Sequence, residues 1–476
     1  MRKVVDDALG GAALSPDQSQ IVFRRTSTPE IWTVKTTGDE PRKLFSISPD
    51  SVHDSRLGWF PDGRRIAFSS ASRAGDEYSI RSYDLSSGQT TLILSDPRAG
   101  AFCLTRDGRL IYSRLEDAPN EKSANLWELR IDLRTAQTHG VPRRLTNWPG
   151  SLFSALGSTA DSSRLFFIRL HYQNSVYVGQ LEDNGTRLAN PRRFSFEQWT
   201  NWPTGWSSDG QTVFFNSDRE EHEDIFQQPV VGRDVLPLAT GTDKRRDGRL
   251  SPDGRWLLYL SWPMQQGKPG TGRLTRARME GGPVQAVFPV AGYSKRVRID
   301  PLVSVSAEGY PAFRCPSMPV APCVLSEEIQ DQVVFTAFDP LEGRKAELAR
   351  IAASSLNFWD LSPDGRWIAF GKNEETDGQI HLLSVAGEPS RDIRAGGWTH
   401  LMSAAWASDG KALFVTAFAS KGAPLLRVPL DGKTQMLYRG LKYMENPVAS
   451  PGGRYLAFGE MIEDGNAWVL DNRGLQ

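Results

Sequence analysis

The 476-residue sequence has little of what most enzymes use for chemistry. Cysteine occurs three times, as Cys103, Cys315 and Cys323, with no pair at CxxC spacing. That excludes a zinc finger or ribbon. Cys315 and Cys323 read either as two buried thiols or as a disulfide, and the disulfide implies an oxidising compartment. The six histidines are scattered, and His222-Glu223 has no second histidine at the spacing of a zinc protease. Net charge is absent: 56 Lys and Arg balance 56 Asp and Glu. A neutral chain gives no reason to expect a nucleic-acid or anionic-membrane partner. No apolar run approaches the roughly 18 residues of a membrane span. The start, Met1-Arg2-Lys3-Val4-Val5-Asp6-Asp7, has no apolar segment of a secretory signal. The expectation from these absences is a cytoplasmic chain as it stands. Helical periodicity is also missing throughout.

What is present is repetition. Leu250-Ser251-Pro252-Asp253-Gly254-Arg255-Trp256 recurs without change from Leu361 to Trp367. Looser copies include Ser15-Pro16-Asp17, Phe60-Pro61-Asp62-Gly63, Ser208-Asp209-Gly210 and Ser408-Asp409-Gly410. The turn aspartates are mostly 43 to 54 residues apart, with one gap of 111 that holds a disguised seventh copy. Pro presets φ, Asp bonds the local backbone and Gly accepts positive φ, so each copy is a turn. A nearly continuous apolar run follows, such as Trp256-Leu257-Leu258-Tyr259, as suits a strand covered on both faces. A polar loop and two further strands complete each unit, the last opened by basic pairs such as Arg143-Arg144 and Arg192-Arg193. Recurrence of those pairs at one place argues for an edge-strand device against aggregation.

The reading is therefore all-β: a β-propeller of about ten four-stranded repeats, beginning near 12, 57, 102, 156, 204, 248, 310, 359, 404 and 447. The last repeat lacks a fourth strand. Arg2-Lys3-Val4-Val5 is expected to supply it, with residues 1–6 closing one large ring; two tandem propellers are the alternative.

The Ser-Pro-Asp-Gly units resemble the TolB-like, WD-repeat-like propeller repeat. Longer stretches, among them Arg144-Leu145-Thr146-Asn147-Trp148 and Asn201-Trp202-Pro203-Thr204-Gly205-Trp206, resemble the C-terminal propeller of a group of bacterial signalling proteins best represented in acidobacteria. There the propeller follows a winged-helix regulator domain or a serine/threonine kinase domain. The resemblance implies a sensor role, which can be extracytoplasmic. It carries no effector function to this sequence, which opens at the propeller; a winged-helix or kinase domain in the reading frame immediately upstream would make this chain the sensory half of a split signalling protein.

Catalytic motifs fail on inspection. Gly205-Trp206-Ser207-Ser208-Asp209 lacks the final glycine of a nucleophile elbow, and Gly432-Lys433-Thr434 lacks the first glycine of a phosphate loop. The acidic stretch Asp218 to Asp224 lacks the alternating ligands of a calcium loop. No catalytic residue, metal or cofactor is therefore expected. The candidate ligand-binding residues lie in loops between repeats: Trp148, Trp199, Asn201, Trp202, His222, Lys244, Arg245, Arg246 and Trp398. Tryptophans there can stack on a sugar, an aromatic group or a peptide side chain, and Lys244-Arg245-Arg246 can meet an anion. The expected function is non-enzymatic binding of a small molecule, peptide or glycan, or of a protein partner. A protein-interaction scaffold is one alternative. A propeller lyase or glycosidase with converging carboxylates is the other.

Overall fold

The computed structural model describes residues 3–471, apart from residue 7 and positions 26–27, 29, 48–50, 53–55, 73–76, 118–122, 149, 196–198, 221, 266–267, 270, 292–310, 319–320, 354–355, 373–376, 420–421 and 442. Met1, Arg2 and Asp7 of the N-terminal segment, position 221 of the acidic stretch and the repeat start near 310 lie outside the described residues.

The repeated heptapeptide builds the same turn each time. Strand Lys244–Leu250 ends at Ser251, and strand Trp256–Trp262 begins five residues later. The Ser251 hydroxyl donates to Asp253 at 2.5 Å and accepts the backbone N–H of Trp256 at 3.0 Å. Asp253 also accepts the N–H of Arg255 at 3.1 Å, while Gly254 takes φ of +71°. Ser362, Asp364, Arg366 and Trp367 repeat this set. So does Ser15 with Asp17, where Gln18 takes positive φ in the glycine's place. The strand that follows is buried at all seven positions of Trp256–Trp262 and at all six of Ala412–Ala417. Both faces are thus covered by neighbouring sheets, and the apolar clusters run from one sheet into the next.

The described residues form antiparallel sheets of four or five strands and one two-stranded hairpin, with no α-helix. The protein is an all-β propeller built from four-stranded antiparallel sheets. It divides into two compact units. The first unit holds sheets over residues 8–46, 51–95 and 99–144, and a sheet made from 152–171 with 464–471. The second holds sheets over 201–239, 244–289, 312–352, 356–394 and 401–439. Its sixth sheet joins Tyr443–Ala449 and 455–463 to 172–182 and Arg187–Arg193.

The physical cause is two long strands, Arg164–Glu182 and Tyr455–Asp471, of 19 and 17 residues. In other units a polar loop interrupts the chain here. In these two, His171-Tyr172-Gln173-Asn174-Ser175 and Glu460 to Asn466 stay extended, and the unit boundary falls inside both strands.

The N-terminal strand expected to complete the last repeat does not do so, since residues 3–5 lie in no strand. Residues 172–194 take that place. They bring Val176, Val178 and Phe194 into the core, stack Tyr177 on Phe458 at 5.7 Å, and bond the Leu181 N–H to the Arg454 carbonyl at 2.8 Å. A segment with only two valines offers no comparable burial.

Candidate functional site

The first strands of all six sheets in the second unit line one cavity, which encloses about 1350 Å³ with its open mouth. These inner strands are bulged. Register shifts occur at Pro203/Gly205, Arg246/Arg249, Leu356/Phe358, Leu401/Ser403 and Glu445/Val448. A bulge re-aims side chains. At two of them Asp247 and Asn446 take positive φ, +60° and +48°, which Asp and Asn tolerate better than most residues.

A charged cluster stands on the cavity wall. Asp247 accepts Arg249 Nε at 2.9 Å through one oxygen. Its other oxygen accepts Arg314 Nη1 at 3.2 Å and the N–H of Phe313 at 3.3 Å. The Asp247 N–H donates to Asn216 Oδ1 at 3.2 Å. Arg314 reaches onward, placing Nε 3.2 Å from Asp360, whose second oxygen accepts the N–H of Trp406 at 2.8 Å. The two carboxyls respond differently. Burial pushes Asp247 up, but the flanking Arg249 and Arg314 outweigh it and hold the carboxyl below its usual range. At Asp360 burial prevails over the same guanidiniums, and the carboxyl is raised.

Trp406 departs from a pattern. Trp59 and Trp206, at the matching place three residues before the turn aspartate, donate their indole N–H to the neighbouring inner strand, at Ala13 and Val448, both 2.9 Å. The indole N–H of Trp406 is buried without a partner among the described residues. Here the neighbouring strand presents Asp360, which takes the backbone N–H instead.

Of the residues singled out in the sequence, Trp202 and Arg246 line this cavity. The Trp202 indole donates to Glu445 at 2.8 Å, and Asn174 donates to the same oxygen at 2.8 Å. Asn201 is buried and donates to the Trp199 carbonyl at 2.9 Å; Trp199 itself is exposed. The basic run meets acid. Arg245 lies 2.9 Å from Asp224, and Arg246 lies 2.9 Å and Lys244 3.8 Å from Glu223. His222 sits on the Gly241 carbonyl at 2.7 Å and 3.5 Å from Asp224. Lys244-Arg245-Arg246 thus faces the Glu223-Asp224 pair of the preceding sheet, three positive charges against two negative. Two tryptophans lie elsewhere. Trp148 is in the first unit, packed with Phe153, Phe167 and Trp468. Trp398 is half-buried against the cluster around Leu401 and Leu413, with Arg439 over its ring.

Cys315 and Cys323 are joined as a disulfide beside the cavity, which Cys315 lines. No group of three or more His, Cys, Asp or Glu side chains suited to a metal occurs among the described residues.

The sequence reading missed Asp247, Arg249, Arg314 and Asp360. One signal was available. Arg249 and Asp360 each stand immediately before the Leu-Ser-Pro-Asp-Gly copy, where an inner strand alternates its faces. Arg314 and Asp247 carry no such marker.

No family model and no curated protein matches the chain. Solved structures do. TolB from Acinetobacter baumannii is 16% identical over 71% of this chain and 63% of that one, with a TM-score of 0.22, so the chain spans less than two thirds of that protein. A putative TolB from Agrobacterium tumefaciens is 17% identical over 60% of this chain and 82% of that one, with a TM-score of 0.23. The β-propeller domain of the Trilobed protease from Pyrococcus furiosus is 12% identical over 92% of this chain and 97% of that one, with a TM-score of 0.24. These are likenesses of fold alone.

Proposed function

We propose that the chain is a non-enzymatic ligand-binding propeller, the sensor part of a bacterial signalling system, with the six-sheet cavity of its second unit as the binding site. One observation carries the reading. The charged groups in the cavity are fixed by one another in advance, with Arg314 tied to both Asp247 and Asp360, and Arg249 anchored by Asp247. A preset cluster lowers the ordering cost of holding a ligand. It also commits the two carboxylates to a shared cation, which disfavours the acid and base roles a glycosidase or lyase would give them. The sensory part rests on the resemblance of the repeats to those of signalling proteins. The Cys315–Cys323 bond supports work in an oxidising compartment.

The test is a thermal-shift screen of the intact chain with peptides, glycans and small organic ions. It is repeated on Ala404→Trp, which places a large ring on the cavity wall. A shift lost in that variant is the expected result. Shifts that persist there, or none across the panel, count against the site.

The scaffold reading has one observation in its favour. In the first unit, Phe166, Ile168, Trp468 and Val469 are all substantially exposed along strands 164–171 and 464–471. Pull-downs that survive Ala404→Trp but fail with Trp468→Ser and Val469→Ser would favour it.

A further inference from the structure

We infer that the cavity's ligand is an organic monocarboxylate, whose carboxylate is taken by the free end of Arg249. This rests on the proposal that the cavity is the binding site. The inference comes from asking which cation on the wall still has hydrogen-bonding capacity to give.

Arg314 is spent. Its Nη1 goes to Asp247 and to the Phe313 carbonyl, and its Nε lies against Asp360. Arg246 is drawn to Glu223 through Nε. Arg249 differs. Its Nε is fixed by Asp247 at 2.9 Å, and among the described residues its two Nη groups make no hydrogen bond. The side chain lines the cavity and remains 19% exposed. A guanidinium held at Nε presents its remaining N–H groups as a fork, and a planar carboxylate fits that fork with two parallel bonds.

Charge sets the valence of the ligand. Arg249 and Arg314 stand against Asp247 and Asp360 on the wall, and Arg246 is held by Glu223 behind it. The wall is balanced, so a ligand's charge is met by the Arg249 fork alone. A monoanion places a single charge on that fork. The second charge of a phosphate would instead stand against Asp247 and Asp360 in a partly desolvated site. A cation would meet carboxylates whose lone pairs are already taken by Arg314 and by the N–H groups of Phe313 and Trp406. The rest of the wall includes the rings of Trp202, Phe358, Trp406 and Pro447, which suit a flat or cyclic apolar body.

The experiment is calorimetric titration of the intact chain with benzoate, with benzamide and with inorganic phosphate. Benzoate is expected to bind at least about tenfold tighter than benzamide, as a charge-assisted pair replaces a neutral one. Phosphate is expected not to compete. Arg249→Gln should reduce benzoate to the benzamide level, while Arg249→Lys, which keeps the charge but loses the fork, should fall between. Melting midpoints of both variants check that they fold; if Gln does not, Lys carries the comparison. Equal affinity for acid and amide, a benzoate preference that survives both substitutions, or stronger binding of phosphate would each overturn the inference. So would failure of both benzoate and benzamide to bind. If another ligand is then lost in Ala404→Trp, the cavity reading stands and only the carboxylate assignment falls. If no ligand responds to that variant, the cavity reading itself has failed.

Discussion

The guanidinium of Arg314 stands 3.2 Å from the carboxylate of Asp247, a residue 67 positions earlier in the chain and on a different sheet. The same side chain reaches Asp360 on a third sheet, so one buried cation ties three sheets at the cavity.

Removing it should be costly. Arg314→Met leaves two carboxylates facing each other's field without their shared counter-charge, and loss of one member of a buried cluster costs about 3 kcal/mol or more. The deficit should depend on pH. Without Arg314 the pKa values of Asp247 and Asp360 both rise relative to the parent, so the variant's deficit is largest at neutral pH and shrinks as the groups protonate. Asp360 already leans this way in the parent, since burial raises it from the ordinary 3.8. Its contribution to stability is complete below that value and lost as pH rises through the folded pKa. Urea unfolding of parent and variant at pH 7 and pH 4.5 checks this, and an equal gap at both values would count against it.

The turn aspartates act in the opposite direction. Hydrogen bonds from the Ser15 and Ser19 hydroxyls, with the Ser19 N–H, hold the Asp17 carboxyl at about 2. Asp161 and Asp209 are likewise depressed, led by Thr159 and Ser163 at the first and by Ser207 at the second. A depressed pKa contributes stability that is present above the unfolded value of 3.8 and lost as pH falls toward 2. The combined variant Asp17→Asn, Asp161→Asn, Asp209→Asn should therefore show a flatter loss of stability between pH 4 and pH 2 than the parent. Denaturant midpoints across that window are the measurement.

Why these turns were legible and the cavity was not is a matter of where the information lies. Ser251, Asp253, Gly254 and Trp256 interact within six residues of one another, so the local sequence specifies both the turn and the strand after it. The fold class follows from repeating that unit. The division into two units depends on what 171–175 and 460–466 fail to do, which is to turn. Polar residues there looked like the loops of other repeats. Trp202 and Arg246 were found because aromatic and basic residues stand out where loops were expected, although both lie on inner strands. Arg314 and Asp247 were missed because the bonds that join them to each other and to Asp360 span dozens of residues.

The cysteines give a chemical prediction. Burial pushes the Cys103 thiol up to about 12, and the other two are bonded. Iodoacetamide should label no cysteine in the native chain, one after denaturation, and three after denaturation with reduction. The bond closes a short loop of nine residues, Cys315 through Cys323, for which chain entropy gives about 2.5 kcal/mol. That loop also bonds the Ser317 N–H to the Pro363 carbonyl at 3.0 Å, beside the cavity. The double variant Cys315→Ser, Cys323→Ser should lose about that much stability in urea, and reductant should have no further effect on it.

In the first unit the ring of Trp468 lies 6.0 Å from that of Trp148, and Arg169 stands over both, at 5.6 and 5.2 Å. Trp148, expected as a ligand platform, packs on the buried core residues Phe153 and Phe167, and this packing predicts that it seats the strand that carries Trp468. Each tryptophan alone loses packing when cut to alanine, but only their mutual term tests the seat. Ring pairs of this kind contribute about 0.5–1.5 kcal/mol beyond their buried area, and the shared guanidinium adds to it. A double-mutant cycle on Trp148→Ala and Trp468→Ala, read from urea midpoints, should give a coupling of about 1 kcal/mol. Arg169→Met should reduce that coupling without abolishing it, because the rings still touch. A coupling indistinguishable from zero would mean that the exposed half of Trp468 is the half that matters. The strand at 464–471 would then be held by its backbone pairing alone, and Trp468 would be free to meet a partner.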